Sequence, residues 1–232
     1  MKVTLLRYTT DAELLCGAAA LTSTKSGTPS GFLEKIDSEA AKRIIKRVVG
    51  YGHASVIEHA SFTFSIEGVS RAMTHQLVRH RIASFTQQSQ RYVIYDTLEK
   101  YVTPSSIENN VEAKKIYDET LEKISDAYQK LLNLKIPKED ARFILPNAAK
   151  TNIIVTMNAR ELHHFFNLRC CARAQWEIRE TAIEMFKQAK KAAPALFENS
   201  GPSCVELGFC PEGKMKPPEC NIEEIKKQFR SM

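Results

Sequence analysis

The chain has 232 residues, 43% of them hydrophobic, and a formal net charge of +6. This length and hydrophobic content suit one domain with a substantial core, and there is no run of about 18 apolar residues that could span a membrane. Residues 1–15 lack the apolar stretch and small-residue cleavage site of a secretory signal, so the expected location is the cytoplasm.

The first part of the chain predicts strands and helices in alternation. Residues 2–8 predict a strand, and a helix is expected to begin at Asp37 or Ser38 and to stop at a glycine. Within residues 59–70, apolar side chains alternate with smaller polar ones, which is the period of a half-buried strand. A helix over about residues 70–82 is expected to follow.

The second part predicts helices around one buried strand. The helices are expected over residues 105–134, 139–146, 158–170 and 174–197, and the strand over residues 151–157. No internal repeat or clear interdomain linker interrupts this order. Because helices and strands are interspersed, the predicted fold class is α+β.

The last part of the chain is rich in cysteine, proline and glycine. We expect one domain over residues 1–200 and an extension over residues 201–232 that packs on it or trails from it. Cys204, Cys210 and Cys220 lack the paired two-residue gap of a zinc ribbon, although three thiolates and a further ligand could still close a tetrahedral site. The prediction is reduced thiols and no metal.

The most polar stretch is RHRIASFTQQSQRY, residues 79–92. Helical spacing would place Gln76, Arg79 and His80 on one stripe, for which a solvated face is the plain alternative. Hydroxyls, amides and guanidinium groups then follow closely at Ser84, Gln87, Gln88, Ser89 and Arg91. Such groups supply many donors to an anion, and the arginine fork suits phosphate, so we expect a phosphorylated ligand.

A second polar group lies in YGHASVIEH, where a glycine permits a tight turn before His53, Ser55, Glu58 and His59. The two histidines are six residues apart and do not share a helix face, which makes a zinc site a weak interpretation. An equally simple one is a helix N-terminus with Ser55 as its cap and Glu58 three residues later.

A third polar group lies in MNARELHHFFNLR. It places Asn158, Arg160, His164 and Arg169 along one helix, while the two phenylalanines are expected in the core. Asn158 is a credible N-cap.

These three groups together resemble one family. RHR at 79–81, then seven residues, then Ser89 followed by QRY resembles the signature of the flavin-dependent thymidylate synthases. The blocks YGHASVIEHASFTF, ARFILP and NARELHHFFNLR followed by AQWEI are also similar to that family, in the same order. The chain departs from the commonest signature at Thr86, usually asparagine, and at Gln87, usually glutamate, which puts any proton transfer by residue 87 in doubt.

The resemblance implies a fold and a reaction. The fold would be a single α+β domain with a mixed or antiparallel sheet flanked by helices. The reaction would be the reductive methylation of dUMP to dTMP, with methylenetetrahydrofolate as one-carbon donor and FAD, reduced by NADPH, as hydride carrier. The resemblance also implies that the protein is a homotetramer and that each active site combines residues of several subunits. A flavin supplies the hydride chemistry, so no catalytic cysteine is required.

The resemblance also implies roles for individual residues. FAD would be bound by His53, Ser55, Glu58, Arg79, His80, Arg81, Asn158, Arg160 and His164. The substrate dUMP would be bound by Gln76, Arg79, Gln87, Ser89, Gln90, Arg91, Arg142 and Arg169. The catalytic set would be Arg169, Ser89 and His53, with Arg169 polarising the uracil carbonyls and Ser89 not acting as a nucleophile.

Two rival functions remain open at this stage. The same positive charge is typical of a nucleic-acid-binding module, although the interleaved amides and hydroxyls favour a small ligand, and lysine-rich stretches such as KRIIKR are typical of solvated faces. A flavoprotein acting on another nucleotide is the second rival. We expect neither a nucleic-acid nor a membrane partner.

Overall fold

The structure is a computed structural model that describes residues 1–95 and 100–232. Its strands are β1 Lys2–Tyr8, β2 Ser61–Ser70, β3 Ala83–Gln87 and β4 Lys150–Asn158. Its helices are α1 Ala12–Thr22, α2 Pro29–Lys35, α3 Ser38–Gly50, α4 Arg71–Leu77, α5 Ser105–Glu108, α6 Val111–Asn133, α7 Lys138–Ala141, α8 Ala159–Arg169, α9 Trp176–Ala192, α10 Ser203–Leu207 and α11 Ile222–Ser231. Short 3-10 helices occupy Ala54–His59, Arg142–Ile144 and Gly213–Met215.

The strands form one antiparallel sheet in the order β1-β2-β4-β3, which confirms the α+β class. Along β2, Phe62, Phe64 and Ile66 are fully buried while the residues between them are less so. This alternation confirms the half-buried strand that the sequence predicts. Thr63 and Thr156 share a hydrogen bond of 2.9 Å between their hydroxyls across β2 and β4.

The chain forms two compact units. The first unit comprises Met1–Lys2, Ile66–Arg79 and Thr86–Ile153. Its core is a cluster of buried side chains around the long helix α6, which includes Tyr95, Tyr101, Leu121, Tyr128, Ala141 and Ala149. The amphipathic helix expected near residues 105–134 is confirmed, although α5 precedes it as a separate short helix.

The second unit comprises Val3–Ser65, His80–Phe85 and Ile154–Met232. Aromatic rings dominate its core. The ring of Phe166 packs edge-on against Phe186 at 5.4 Å and against Phe197 at 5.9 Å. Such edge-to-face pairs add packing energy beyond the apolar area they bury.

Two predicted helix starts are confirmed by their capping hydrogen bonds. The Asp37 carboxylate accepts from the backbone N–H of Ala40 at 2.7 Å, at the start of α3. The Asn158 side chain accepts from the N–H of Glu161 at 2.9 Å, at the start of α8. Each cap satisfies a backbone donor that the helix itself cannot pair.

The helix expected over residues 70–82 is wrong in extent. Helix α4 ends at Leu77, and the chain then turns so that Arg79 is exposed while His80 is 3% exposed. The residues after the turn form strand β3, so the stripe that was to join Gln76, Arg79 and His80 on one helix does not exist. Burial of the His80 ring outweighs the helical periodicity that the sequence shows locally.

The C-terminal segment packs within the second unit through Phe229. This residue is buried in α11, and its ring lies 5.1 Å from that of Phe186. The domain boundary at residue 200 stays a prediction. All six cysteines, which lie in the described ranges, are free thiols. Within those same ranges, no helix is both long and apolar enough to cross a membrane.

Candidate active site

The second unit builds a buried polar relay around His80. The His80 Nδ1 atom lies 3.2 Å from Oε1 of Glu161, and Nε2 accepts a 3.1 Å hydrogen bond from Nε of Arg169. The His80 ring packs edge-on against Phe165 at 4.9 Å. Helix α8 presents Glu161, Phe165 and Arg169 to the same imidazole because they are spaced four residues apart.

The hydrogen bonds and the burial assign the protonation of His80. An arginine can only donate, so Nε2 must carry the lone pair, and the proton of a neutral imidazole then lies on Nδ1 and points at Glu161. Burial, together with the charges of Arg169 and His164, lowers the pKa of His80 to about 4. His80 is therefore neutral at physiological pH and serves as an acceptor that orients the Arg169 guanidinium.

The partners of His80 are also shifted by burial. Burial raises the pKa of Glu161, against a smaller opposing effect of His164. Burial lowers the pKa of Arg169. Both shifts oppose charge, which indicates that the relay lies in a medium where a further charge would interact strongly.

Three ligand atoms in this relay are close enough to suggest a metal. One potential ligand atom each of His80, Glu161 and His164 lies within 4.8 Å of the others. In the described part of the chain, this is the group of three such residues that is close enough to hold a metal ion. Both ring nitrogens of His80 are already engaged by Glu161 and Arg169, and the cation of Arg169 would repel a metal ion. The chemistry of this group favours a hydrogen-bonded relay.

A separate cavity in the second unit lies beside the glycine turn. Its volume is about 620 Å³, and its walls include His53, Ser55, His59, Arg47 and Tyr51. The turn itself needs glycine, since residue 52 adopts a φ of 84°. His53 and Ser55, which the resemblance assigns to FAD, both line this cavity, and their binding of FAD stays a prediction. Sequence reasoning missed Arg47, which lies in the KRIIKR stretch interpreted as a solvated face.

The capping interpretation of Ser55 and Glu58 is wrong. The 3-10 helix Ala54–His59 begins after His53, and no side-chain capping bond is found for it in the described structure. The Glu58 carboxylate instead accepts a 2.5 Å hydrogen bond from Nη1 of Arg160. These two predicted cofactor residues thus hold each other, with both side chains partly exposed.

The remaining predicted cofactor residues are dispersed. Asn158 caps α8 and its side-chain oxygen is used there, while His164 is exposed with its ring 5.5 Å from that of His80. Arg79, in the first unit, and Arg81, in the second, are both exposed.

In the first unit, two arginines of the predicted dUMP site both form hydrogen bonds with Glu139. Nε and Nη2 of Arg91 both lie 2.8 Å from Oε2 of Glu139. Arg142 donates from Nε to the backbone carbonyl of Glu139 at 3.1 Å. The hydroxyl oxygen of Ser89 accepts from the backbone N–H of Arg91 at 3.1 Å. Glu139, which was not foreseen, thus contacts both arginines, and binding of the dUMP phosphate by Ser89, Arg91 and Arg142 stays a prediction.

Gln87 has a structural role in the first unit. Its Nε2 donates to the hydroxyls of Thr74 at 2.9 Å and Thr151 at 3.3 Å, which ties β3 to its neighbours. Gln76 and Gln90 are half-buried in the same unit. Binding of dUMP by these three glutamines stays a prediction.

Two acidic residues carry much of this arrangement and were missed by sequence reasoning. Glu161 had a usable signal, because it lies three residues after the cap Asn158, as in a capping box. Glu139 had none, since it precedes Arg142 by only one helical turn and looks like an ordinary surface residue.

Comparison with known proteins identifies the family. The profile of the family described as "Thymidylate synthase complementing protein" matches residues 4–195. The flavin-dependent thymidylate synthase of Geobacter sulfurreducens is 48% identical over all of this chain and 99% of its own length. The chain belongs to the flavin-dependent thymidylate synthase family. The Pyrococcus furiosus member is 45% identical over 100% of this chain and 98% of its own.

A solved structure of the family shares this fold. The Helicobacter pylori flavin-dependent thymidylate synthase ThyX, in complex with FAD and dUMP, superposes with a TM-score of 0.71 at 27% identity. The match covers 86% of this chain and 99% of that one. The family resemblance seen in the sequence is thereby confirmed, and so is the expectation of a flavin-dependent thymidylate synthase.

Proposed function

We propose that this protein converts dUMP to dTMP by reductive methylation, with methylenetetrahydrofolate as one-carbon donor and FAD, reduced by NADPH, as hydride carrier. The observation that carries the proposal is the buried relay of Glu161, His80 and Arg169, which holds a guanidinium by a neutral imidazole. The relay is found in a chain that matches the flavin-dependent thymidylate synthases over its whole length.

The FAD expectation is consistent with the cavity beside His53. A volume of about 620 Å³ lies within the range of small-molecule sites, roughly 300–1,000 Å³. Arg47 offers a cation for a phosphate, Tyr51 an aromatic face for a ring, and His53 and Ser55 hydrogen-bonding groups. FAD supplies the hydride chemistry that side chains lack, so the residues of this cavity bind and orient it. The Glu58–Arg160 pair connects the 3-10 helix Ala54–His59 to α8.

Arg169 is the residue that we assign to the chemical step. His80 accepts from Nε, which fixes the plane of the guanidinium and directs its terminal N–H groups. Aimed at the uracil carbonyl oxygens, those donors would stabilise negative charge that develops as carbon 5 is activated. In a site of low polarity, such preorganised donors contribute strongly to the rate. Glu161 and His80 act through Arg169 as positioning residues.

Arg91, Arg142 and Ser89 are the residues that we assign to the dUMP phosphate. A planar guanidinium and a hydroxyl are suited to the oxygens of a phosphate monoester. Arg91 currently pairs with Glu139, so phosphate binding must compete with that carboxylate. The role of Ser89 is to bind, because the contact described for its hydroxyl is to the backbone of Arg91 and not to a base.

We further infer a cytoplasmic homotetramer with shared active sites. A reducing compartment suits six free thiols in a chain of this size. The exposure of Arg79 and Arg81 is what a site completed by another subunit would require, because both side chains remain accessible.

The direct test of the reaction is one turnover. FAD-loaded protein is reduced under anaerobic conditions and mixed with dUMP and methylenetetrahydrofolate, and flavin oxidation and dTMP are followed together. We expect dTMP in proportion to the flavin that reoxidises. If the protein binds flavin but forms no dTMP, its substrate is another nucleotide. If it binds no flavin, the proposed reaction is wrong and nucleic-acid binding becomes the function to test.

A further inference from the structure

The end of the chain brings four cysteines to one place. Cys204, Cys210 and Cys220 come from the segment 201–221, and Cys171 lies just beyond the end of α8. All four line a single cavity of about 40 Å³ within the second unit, and the buried Cys170 lines it as well. Spacing along the sequence groups only the C-terminal three, because Cys171 is distant along the chain.

The cavity also contains a donor that lacks an acceptor. Arg179 lines it, and the buried Nε–H of Arg179 has no hydrogen-bond partner among the residues that the structure describes. Buried donors are almost always paired, so an unpaired one needs an explanation. Lys216 lines the same cavity. Both residues suit a group of negative charge, which four thiolates around a metal would supply.

The segment 201–221 has little structure of its own. It contains the five-residue helix α10 and the 3-10 helix Gly213–Met215, and its apolar side chains Leu207, Phe209 and Met215 are exposed. A segment with so small a core commonly depends on disulfides or a metal to keep one conformation. The cysteines are free thiols and are therefore available as metal ligands.

We propose that Cys171, Cys204, Cys210 and Cys220 are the ligands of a structural metal centre that fixes the segment 201–221 to the end of α8. Four protein ligands with no open position are typical of structural rather than catalytic sites. Metal binding would displace the thiol protons and leave thiolates that accept from Arg179.

The neighbouring thiol of Cys170 is outside the proposed ligand set. Cys170 directly follows α8 and is 2% exposed. Cys170 also lines the cavity, but its side chain is buried, whereas the four proposed ligands are only partly buried. Cys170 and Cys171 therefore form a matched pair of adjacent cysteines, one outside and one inside the centre.

Two occupants share this four-thiolate chemistry, a zinc ion and an iron–sulfur cluster. The sulfurs of a tetrahedral zinc site lie about 3.8 Å apart, as follows from Zn–S bonds of about 2.3 Å. In the described residues, the potential ligand atoms that all lie within 4.8 Å of one another belong to His80, Glu161 and His164. The sulfur atoms of the four cysteines are therefore farther apart than a tetrahedral zinc site requires. Zinc would require them to turn inward, whereas a cluster accepts wider spacing because each thiolate binds a different iron.

The test is the metal content of the full-length protein, purified without oxygen and without a metal-binding tag. Zinc, iron and acid-labile sulfide are measured per chain by elemental and chemical analysis. We expect about one zinc ion, or else iron with matching sulfide, per chain. In parallel, alkylation by iodoacetamide is mapped by mass spectrometry before and after metal removal, and the four proposed ligands should become reactive only after removal.

Two variants provide the matched control. Cys171→Ala should reduce the metal content to background, and Cys170→Ala should keep it at the wild-type level. The proposal would be overturned by wild-type protein with neither metal, by disulfides among the four cysteines, or by equal metal in both variants. The alkylation map decides the question even where a variant does not fold.

Discussion

Arg169 and Arg91 are two arginines of the predicted dUMP site in opposite environments. Arg169 is partly buried and is held by a neutral histidine that a buried carboxylate orients in turn. Arg91 is about half exposed and pairs with a glutamate that is exposed as well. The comparison teaches that a buried arginine can strongly stabilise negative charge that develops during the reaction, because little water screens it. An exposed ion pair is weak, so its carboxylate is readily exchanged for a phosphate.

The largest expected effect is on the buried side of this comparison. Arg169→Ala should lower single-turnover flavin oxidation by about 100- to 1,000-fold, as loss of a preorganised donor does at an oxyanion. Arg43→Ala, which removes the same charge from an exposed position on α3, should leave the rate unchanged. A normal rate in a folded Arg169→Ala protein would remove Arg169 from the chemical step.

The second effect is a pH dependence of stability that comes from His80. Because the folded protein lowers the pKa of His80 from 6.5 to about 4, the unfolded chain binds the proton more readily, and stability is lost as pH falls from about 6.5 to 4. The shift corresponds to about 3 kcal/mol, which the raised pKa of Glu161 partly offsets.

Chemical denaturation of the His80→Gln variant measures this effect. The amide can still contact Glu161 and Arg169 but cannot take up a proton, so the free energy of unfolding should vary less between pH 6.5 and 4 than in wild type. His75→Gln, at an exposed position on α4, should keep the wild-type profile. Parallel profiles for His80→Gln and wild type would contradict the neutral, buried imidazole.

On the exposed side the expected effects are smaller and have opposite signs. Arg91→Lys should weaken dUMP about tenfold, since a fork becomes a point charge. Glu139→Gln should strengthen dUMP by at most about fivefold, because an exposed ion pair contributes about 1 kcal/mol or less. Glu112→Gln, an exposed charge at the start of α6, is the control for net charge. Calorimetric titration distinguishes these cases, and weaker binding in Glu139→Gln would refute the competition.

The smallest effect concerns Gln87. Gln87→Met keeps the size of the side chain but removes the donor to Thr74 and Thr151. The free energy of unfolding should fall by about 1 kcal/mol, the typical contribution of a side-chain hydrogen bond. If dUMP affinity is unchanged in the same variant, Gln87 has no part in substrate binding.

The sequence predicted what depends on local order. The strand at residues 2–8, the alternation along β2 and the caps at Asp37 and Asn158 follow from periodicity and from backbone donors that need an acceptor nearby. Ser89, Arg91 and Arg142, which the family resemblance assigns to dUMP, all lie in the first unit, and their role stays a prediction.

The rest depends on contacts between distant residues. Helix α4 stops early because the His80 ring is buried against α8, 81 residues away from Glu161 along the chain. Likewise Cys171 meets Cys204 only after folding, and no spacing rule joins them. Propensity describes neighbours in sequence, whereas these arrangements are decided by which side chains leave water together.

The most direct test of the account compares the two arginines in one experiment. Reduced, FAD-loaded Arg169→Ala and Arg91→Lys are each mixed with methylenetetrahydrofolate and increasing dUMP, and the rate of flavin oxidation is followed to saturation. The account predicts that Arg91→Lys recovers the wild-type rate at high dUMP, whereas Arg169→Ala remains about 100-fold slower or worse at any concentration. Recovery of Arg169→Ala by dUMP alone would show that Arg169 only binds substrate, and the division of roles would be wrong.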